Sequence, residues 1–336
     1  MEGADRGGRR VSVSLVTGAH GFVGSHLARA LLERGDGVRV LDRPAPRLAD
    51  VGGERHSGLD LLGIRDEVEL VEADLRDAEA VAEAVEGSDF VFHLAAQTIV
   101  GVARDSPLET FEVNVQGAWN VFEACRVHAV EGIVFASSDK AYGSSPELPY
   151  REDFPLRAVY PYDVSKAAAD TIARSYATAY GLPLAVTRFA NVYGGGDLNF
   201  SRLIPETVVA LLDGRAPVIR SDGSPERDFL HVDDAVSAYL AIAGSLDDGA
   251  VGEPFNAGGE RPHSVREVVE LIAAAAGTGI EPDIQGQGNP DGEIDRQFVD
   301  SAKLRELTGW RPKVALADGL KATLDWYREH PEARPA

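Results

Sequence analysis

Val11-Ser-Val-Ser-Leu-Val-Thr17-Gly18-Ala-His-Gly21-Phe-Val-Gly24 is the stretch whose reading decides the fold. It begins as a short apolar, β-branched run with the pattern of a strand, and after the last glycine Ser25–Arg34 reads as a helix. Glycines at 18, 21 and 24 permit a tight turn, close approach of main-chain N–H groups to a pyrophosphate, and close helix–sheet packing. The positive end of the helix then points at the phosphates. A second strand, Gly37–Leu41, ends at Asp42, about 20 residues past the glycines, where an acid can accept from both hydroxyls of an adenosine ribose. The glycine spacing alone is weak, but strand, turn, helix and acid together predict a dinucleotide site.

Strand and helix go on alternating through Val68–Val71, Asp77–Glu86, Asp89–Leu94, Leu108–His128, Gly132–Ala136, Asp163–Tyr180 and Leu184–Phe189. Repeated units of this kind imply an α/β fold, a Rossmann-type doubly wound parallel sheet. Residues 43–66 lapse into Pro, Gly and charge and read as a surface loop with at most a short helical turn. Past residue 190 the loop signatures Gly194-Gly-Gly-Asp197, Arg202-Leu-Ile-Pro205 and Ser221-Asp-Gly-Ser-Pro225 separate shorter elements. The expected organisation is a cofactor domain over 11–190, to which 228–253 return, and a smaller C-terminal α/β substrate-binding domain from 191–227 and 254–330. Residues 1–10 read as a disordered lead-in.

A chain of 336 residues with 44% hydrophobic content can bury a large core. Its formal charge of −21 argues against nucleic-acid and anionic-membrane partners, so an anionic ligand must be held by local arginines and helix N-termini. There is no apolar run long enough for a membrane span, and no metal is expected. Cys125 is the single cysteine, which excludes disulfides within the chain and points to a cytosolic setting.

For the cofactor, Gly18, Gly21, Phe22, Val23 and Gly24 form the turn, while Asp42 would repel a 2′-phosphate and favours NAD over NADP. The adjacent Arg43 leaves NADP open. Asp74 and Leu75 follow the third strand, toward the adenine edge. Leu94, Ala95, Ala96 and Gln97 follow the fourth, with small residues where a cofactor passes. His93 reads as a structural histidine, since a catalytic base needs a partner and a cleft.

Phe135-Ala-Ser-Ser138-Asp139-Lys140-Ala-Tyr142 and Tyr162-Asp-Val-Ser-Lys166 carry the reaction chemistry. The chain has five lysines and 28 arginines among its 33 basic residues, and two of the five lysines lie in these segments. Tyr162 and Lys166 share a helix face one turn apart, so the ammonium is expected to lower the phenol's pKa. Ser138 ends a strand about 24 residues upstream.

With these residues together the chain resembles the extended short-chain dehydrogenase/reductase family, specifically its nucleotide-sugar epimerases and dehydratases, from Gly18 to Trp326. His93-Leu-Ala-Ala-Gln97, Leu108-Glu-Thr-Phe-Glu-Val-Asn114-Val, Ser138-Asp139-Lys140, Gly194–Asp197 and Arg202–Pro205 are most similar to CDP-glucose 4,6-dehydratases. Arg227-Asp-Phe-Leu-His-Val is closer to epimerases and dTDP-glucose dehydratases, and Ser138 stands where many dehydratases have Thr, which leaves the nucleotide open.

The resemblance implies a tightly bound NAD that is regenerated each turnover; it places Asn114 near Lys166 and counts Asn114, Tyr162 and Lys166 among the cofactor contacts. It assigns Thr98, Ser138, Asn191, Arg202, Leu203, Arg220, Arg227 and Arg296 to the nucleotide-diphosphate sugar, with a solvated-surface reading open for Arg202 and Arg220. Tyr162 and Ser138 would deprotonate the C4 hydroxyl, Asp139 would protonate the departing C6 oxygen and Lys140 would take the C5 proton. The assignment of acid and base within the Asp139–Lys140 pair stays open, as does a surface ion pair. The alternatives are a 4-epimerase, a uronate decarboxylase and an inactive NAD-binding scaffold. A homodimer through Leu108–His128 and Asp163–Tyr180 is also implied, although the same pattern suits packing on the sheet.

Overall fold

The computed structural model describes residues 12–44, 57–286 and 294–335, with the backbone alone of two short strands at 50–51 and 54–55. The expected lead-in over 1–10 and most of the Pro- and Gly-rich stretch after Arg43 lie outside the described residues. Seven strands form one parallel sheet: β1 (Val13–Thr17), β2 (Gly37–Asp42), β3 (Glu69–Glu72), β4 (Phe90–His93), β5 (Gly132–Ala136), β6 (Leu184–Phe189) and β7 (Pro254–Ala257). Their spatial order is β7-β6-β5-β4-β1-β2-β3, so the winding reverses between β1 and β4. At such a switch point the strand ends leave a crevice for ligands.

Helices cover both faces. Leu27, Leu31, Val236, Tyr239 and Ile242 bury one face against Val16, Val40 and Phe92. Val81, Val121, Phe122, Ala169 and Ala173 bury the other against Leu15, Val91, Ile133 and Val186. Each Val, Leu, Ile or Phe among these that is fully removed from water contributes about 1.5–3 kcal/mol. A third hydrophobic cluster is built from the helices Leu203–Leu212, Val265–Ala276 and Leu316–Glu329. Among the described residues no helix is long and apolar enough to cross a membrane.

Two boundaries differ from those expected. The return to the sheet ends at Ala257 and not at 253, because the buried run Pro254–Ala257 pairs in parallel with β6. Further on, Leu304 and Trp310 join the first core, and Trp310 Nε1 donates to Ser237 Oγ at 2.9 Å. The predicted helix over 108–128 is also interrupted, with a π turn at Glu112–Gln116 between Pro107–Phe111 and Gly117–Val127. Asn114 lies in that turn, and its side-chain bonds are described with the cofactor cavity below.

Candidate active site

The loops after β1, β2, β3 and β4 enclose a cavity of about 360 Å³. Its wall contains Gly18, Gly21, Phe22, Val23, Gly24, Asp42, Arg43, Asp74, Leu75, Leu94, Ala95, Ala96, Gln97 and Thr98. Gly18 has φ +80°, and a Cβ there would lie 2.7 Å from Ala95 Cα. The turn thus requires glycine both for its backbone and for the approach of the β4 loop. The Asp42 carboxylate accepts from His20 N at 2.9 Å and Arg43 N at 2.8 Å, while burial pushes its pKa up. Both ring nitrogens of His20, also in this wall, are buried without a hydrogen-bond partner. An open helix N-terminus, an acid at the end of β2 and orphaned polar atoms fit an NAD pyrophosphate and ribose.

Asn114 is buried and does not line this cavity, contrary to its expected place among the cofactor contacts. Its Oδ1 accepts from Gln97 N at 2.7 Å, and its Nδ2 donates to Gln97 O and Ser165 Oγ, both at 2.9 Å. It therefore ties the β4 loop to the helix Pro161–Tyr180 and acts on the cavity through that loop. Asp74 is engaged by Arg76 through bonds of 2.9 and 2.7 Å, which hold its carboxyl below the ordinary range. His93 is buried, 2.7 Å from Thr17 Oγ1 and stacked on Phe135, and burial lowers its pKa to about 3. Burial thus keeps the imidazole neutral, held between Thr17 and Phe135.

A second cavity of about 560 Å³ shares Val23, Leu94, Thr98, Ile99, Asp197, Asn199 and Arg202 with the first, so the two are contiguous. Ser138, Asp139, Lys140, Tyr162, Lys166, Asn191, Leu203 and Arg227 line it. Ser138 caps the 3₁₀ turn Asp139–Tyr142, accepting from Lys140 N at 3.2 Å and donating to Asp139 Oδ1 at 3.3 Å. Asp139 is only 2% exposed, which overturns the alternative of a surface ion pair. Burial pushes its carboxyl up to about 6, against the opposing pull of Lys140, Ser138, Arg227 and Gln297.

Tyr162 departs from expectation. Burial drives its phenol up to about 12, with Arg202 and then Ser138 acting in the opposite sense. Lys166 does not figure among these effects, and its Nζ donates to Ala136 O at 2.9 Å. Its own pKa falls to about 8 through burial. Desolvation wins at both groups: at Tyr162 it outweighs the Arg202 cation and the Ser138 bond, and at Lys166 burial is the only cause of the shift.

Among the arginines, Arg202 donates to Asp197 Oδ2 at 3.0 Å and opens on both cavities. Arg227 is buried and donates to the carbonyls of Glu226 at 2.9 Å and Asp295 at 3.2 Å. Arg296 and Arg220 are not brought to the site. They are 59% and 62% exposed, paired with Glu226 at 2.6 Å and Glu206 at 3.1 Å. Asp197, Asn199, His20 and Ile99 line the cavities although no role was read for them. Asp197 had a signal in its Gly-Gly-Gly-Asp setting, whereas His20 and Ile99 had none beyond adjacency to the glycine turn and the β4 loop.

Residues 14–258 match the model of the NAD dependent epimerase/dehydratase family. The chain is 35% identical to a UDP-glucose 4-epimerase of Mycolicibacterium smegmatis over 322 residues, covering 94% of this chain and 98% of that protein. It is 34% identical to a dTDP-glucose 4,6-dehydratase of Streptomyces griseus, covering 94% of both. Among solved structures, a Bacillus anthracis dTDP-glucose 4,6-dehydratase in complex with NAD is 28% identical, with a TM-score of 0.82 over 96% of this chain and 98% of that one. A Thermotoga maritima UDP-glucose 4-epimerase with UDP-glucose is likewise 28% identical, at a TM-score of 0.83 over 95% of this chain and 99% of that one. This chain belongs to the NAD dependent epimerase/dehydratase family, as an enzyme whose cofactor is NAD.

Proposed function

We propose that the enzyme is a nucleotide-sugar 4,6-dehydratase, converting a nucleoside-diphosphate hexose into its 4-keto-6-deoxy derivative. The observation that carries this reading is Asp139, a buried carboxyl with a raised pKa in the same cavity as Ser138, Tyr162 and Lys166. A 4-epimerase needs to move one proton at O4 and has no use for a second acid. A dehydratase must also protonate a poor leaving group, and a carboxyl inclined to hold its proton can do that.

The chemistry that NAD supplies when bound is the reversible acceptance of one hydride. Tyr162, with Ser138 beside it, removes the C4 hydroxyl proton. Its phenol must ionise well below the value that burial alone sets, and Arg202 and Ser138 are the groups that favour the phenolate. The resulting C4 ketone acidifies the C5–H bond. Lys140, half-buried in the same cavity, takes the C5 proton, and Asp139 delivers its own proton to the C6 oxygen, which leaves as water. The 4-keto-5,6-ene so formed would regain the hydride at C6 and the proton from Lys140 at C5, giving the 4-keto-6-deoxy sugar. Arg227 and Arg202 hold the diphosphate side, with Asn191, Leu203 and Thr98 against the sugar and base. The exposed apolar side chains Leu108, Trp119, Val127 and Tyr180, on the elements from Pro107 to Val127 and Pro161 to Tyr180, support a homodimer through these helices.

The test is to incubate the enzyme and NAD with CDP-, dTDP-, UDP- and GDP-hexoses and to follow mass loss. A 4-keto-6-deoxy product lighter by one water is expected from one donor. A C4 epimer formed without loss of water would overturn the reading in favour of a 4-epimerase. Asp139→Asn should lower dehydration about 10²–10⁴-fold, the range for loss of a positioned acid, while C4 oxidation survives.

A further inference from the structure

The run Gly194-Gly-Gly-Asp197 has no part in the reaction above, yet two helices converge on it. It follows the short strand Asn191–Tyr193, and Gly196 takes φ +91°. A Cβ on Gly195 would lie 2.3 Å from Trp326 Cγ, so glycine there admits the indole of the helix Leu316–Glu329. The neighbouring Tyr327, fully buried, donates its hydroxyl to Asp197 O. A second anchor is His26, on the helix Phe22–Glu33 that opens at the glycine turn, whose Nε2–H donates to Gly195 O at 2.9 Å. Burial lowers the His26 pKa to about 4, and the neutral ring leaves Nδ1 to accept from Arg29 Nη2 at 3.3 Å.

So anchored, Asp197 lines both cavities together with Arg202. Its side chain is 4% exposed, against 41% for Arg202. Oδ1 accepts from Asn199 N at 3.1 Å and Oδ2 from Arg202 Nη1 at 3.0 Å. A carboxylate this buried must be bonded and paired, and these two donors do both. The Arg202 backbone is fixed as well, its N donating to Asn199 O at 3.0 Å and its O accepting from Glu206 N at 3.1 Å. The bond to Asp197 occupies Nη1, and the guanidinium keeps its other N–H groups for a ligand. A free arginine stem samples many rotamers, so a bond to a fixed carboxylate orders it before a ligand arrives. An acid near a diphosphate also repels it. The guanidinium bonded to Asp197 matches that charge, so the repulsion is largely cancelled while the ordering remains.

We propose that Asp197 is a positioning residue for the nucleoside diphosphate, aiming the Arg202 guanidinium at the junction of the two cavities. This role rests on Arg202 as a diphosphate contact, whichever reaction follows. Calorimetry on the NAD-loaded enzyme with CDP, dTDP, UDP and GDP identifies the diphosphate bound most tightly. Its Kd is then measured in the wild type, Asp197→Asn, Arg202→Ala and the double variant. Asp197→Asn should weaken binding about five- to tenfold on its own and by less than about twofold in the Arg202→Ala background. Equal losses in both backgrounds would mean that Asp197 merely supports the loop, and tighter binding by Asp197→Asn would mean that repulsion wins. Either result overturns the proposal. A loss in Arg202→Ala with none in Asp197→Asn overturns it alone, whereas unchanged affinity in Arg202→Ala, or no binding of any of the four, overturns the diphosphate contact with it. If Asp197→Asn does not fold, Tyr327→Phe takes its place in the cycle, since it releases the Asp197 carbonyl and leaves the carboxylate intact. A loss of about threefold is then expected only where Arg202 is present, and the same loss without Arg202 overturns the proposal.

Discussion

Replacing Arg188 by Met probes how the catalytic turn is held. Arg188 lies on β6 and is 1% exposed, and Asp170, on the helix Pro161–Tyr180, is fully buried. The guanidinium grips this carboxylate with two bonds of 2.8 Å, and its Nη1 also donates to Tyr142 Oη at 3.0 Å and Glu152 O at 3.3 Å. Tyr142 closes the turn that carries Asp139 and Lys140, and its hydroxyl donates onward to Asn256 Oδ1 at 2.8 Å. Arg188→Met leaves an uncompensated buried carboxylate, which costs about 3–5 kcal/mol. Set against a total stability of about 5–15 kcal/mol, that is a large fraction. Arg188→Met with Asp170→Leu removes the stranded charge as well, and should recover all but about 1–2 kcal/mol, because a buried pair is often replaceable by apolar packing. Urea unfolding followed by circular dichroism, at fixed protein and NAD concentration, measures all three chains. The reasoning is refuted if the single variant loses under about 1 kcal/mol or if the double variant is no more stable than the single.

Other expectations follow from the same geometry. Gly18→Ala forces a side chain into φ +80° and onto the Ala95 backbone, so NAD affinity measured by calorimetry should fall by at least tenfold, with about 1–3 kcal/mol of stability lost. Arg202→Ala and Arg227→Ala should each raise the substrate KM about 10–100-fold, the value of a charge-assisted bond. Arg220→Ala and Arg296→Ala, outside the cavity, should leave KM within about twofold. Lys166 titrates at about 8 when folded against an ordinary 10.5, so between these values the unfolded chain binds more protons. Its contribution makes the fold more stable as pH rises through that window. Comparison of unfolding free energies at pH 8 and pH 10 should give a steeper rise for the wild type than for Lys166→Met.

The sequence by itself determined whatever depends on local periodicity. The strand–turn–helix of residues 13–33 follows from an apolar run, three spaced glycines and a helical pattern, and the i, i+4 pair Tyr162 and Lys166 needs only a helix. Tertiary structure alone decided burial and charge partners, because these arise between segments distant along the chain. It turned the phenol of Tyr162 upward, since desolvation outweighs any help from Lys166. It drew Asn114 into clamping the β4 loop and left Arg220 and Arg296 paired at the surface. It also buried Asp139, for which a surface ion pair with Lys140 had stood as the alternative, beside Gln297 from the far half of the chain. The cost of burying a charge depends on every group packed around it, and no local pattern records those groups.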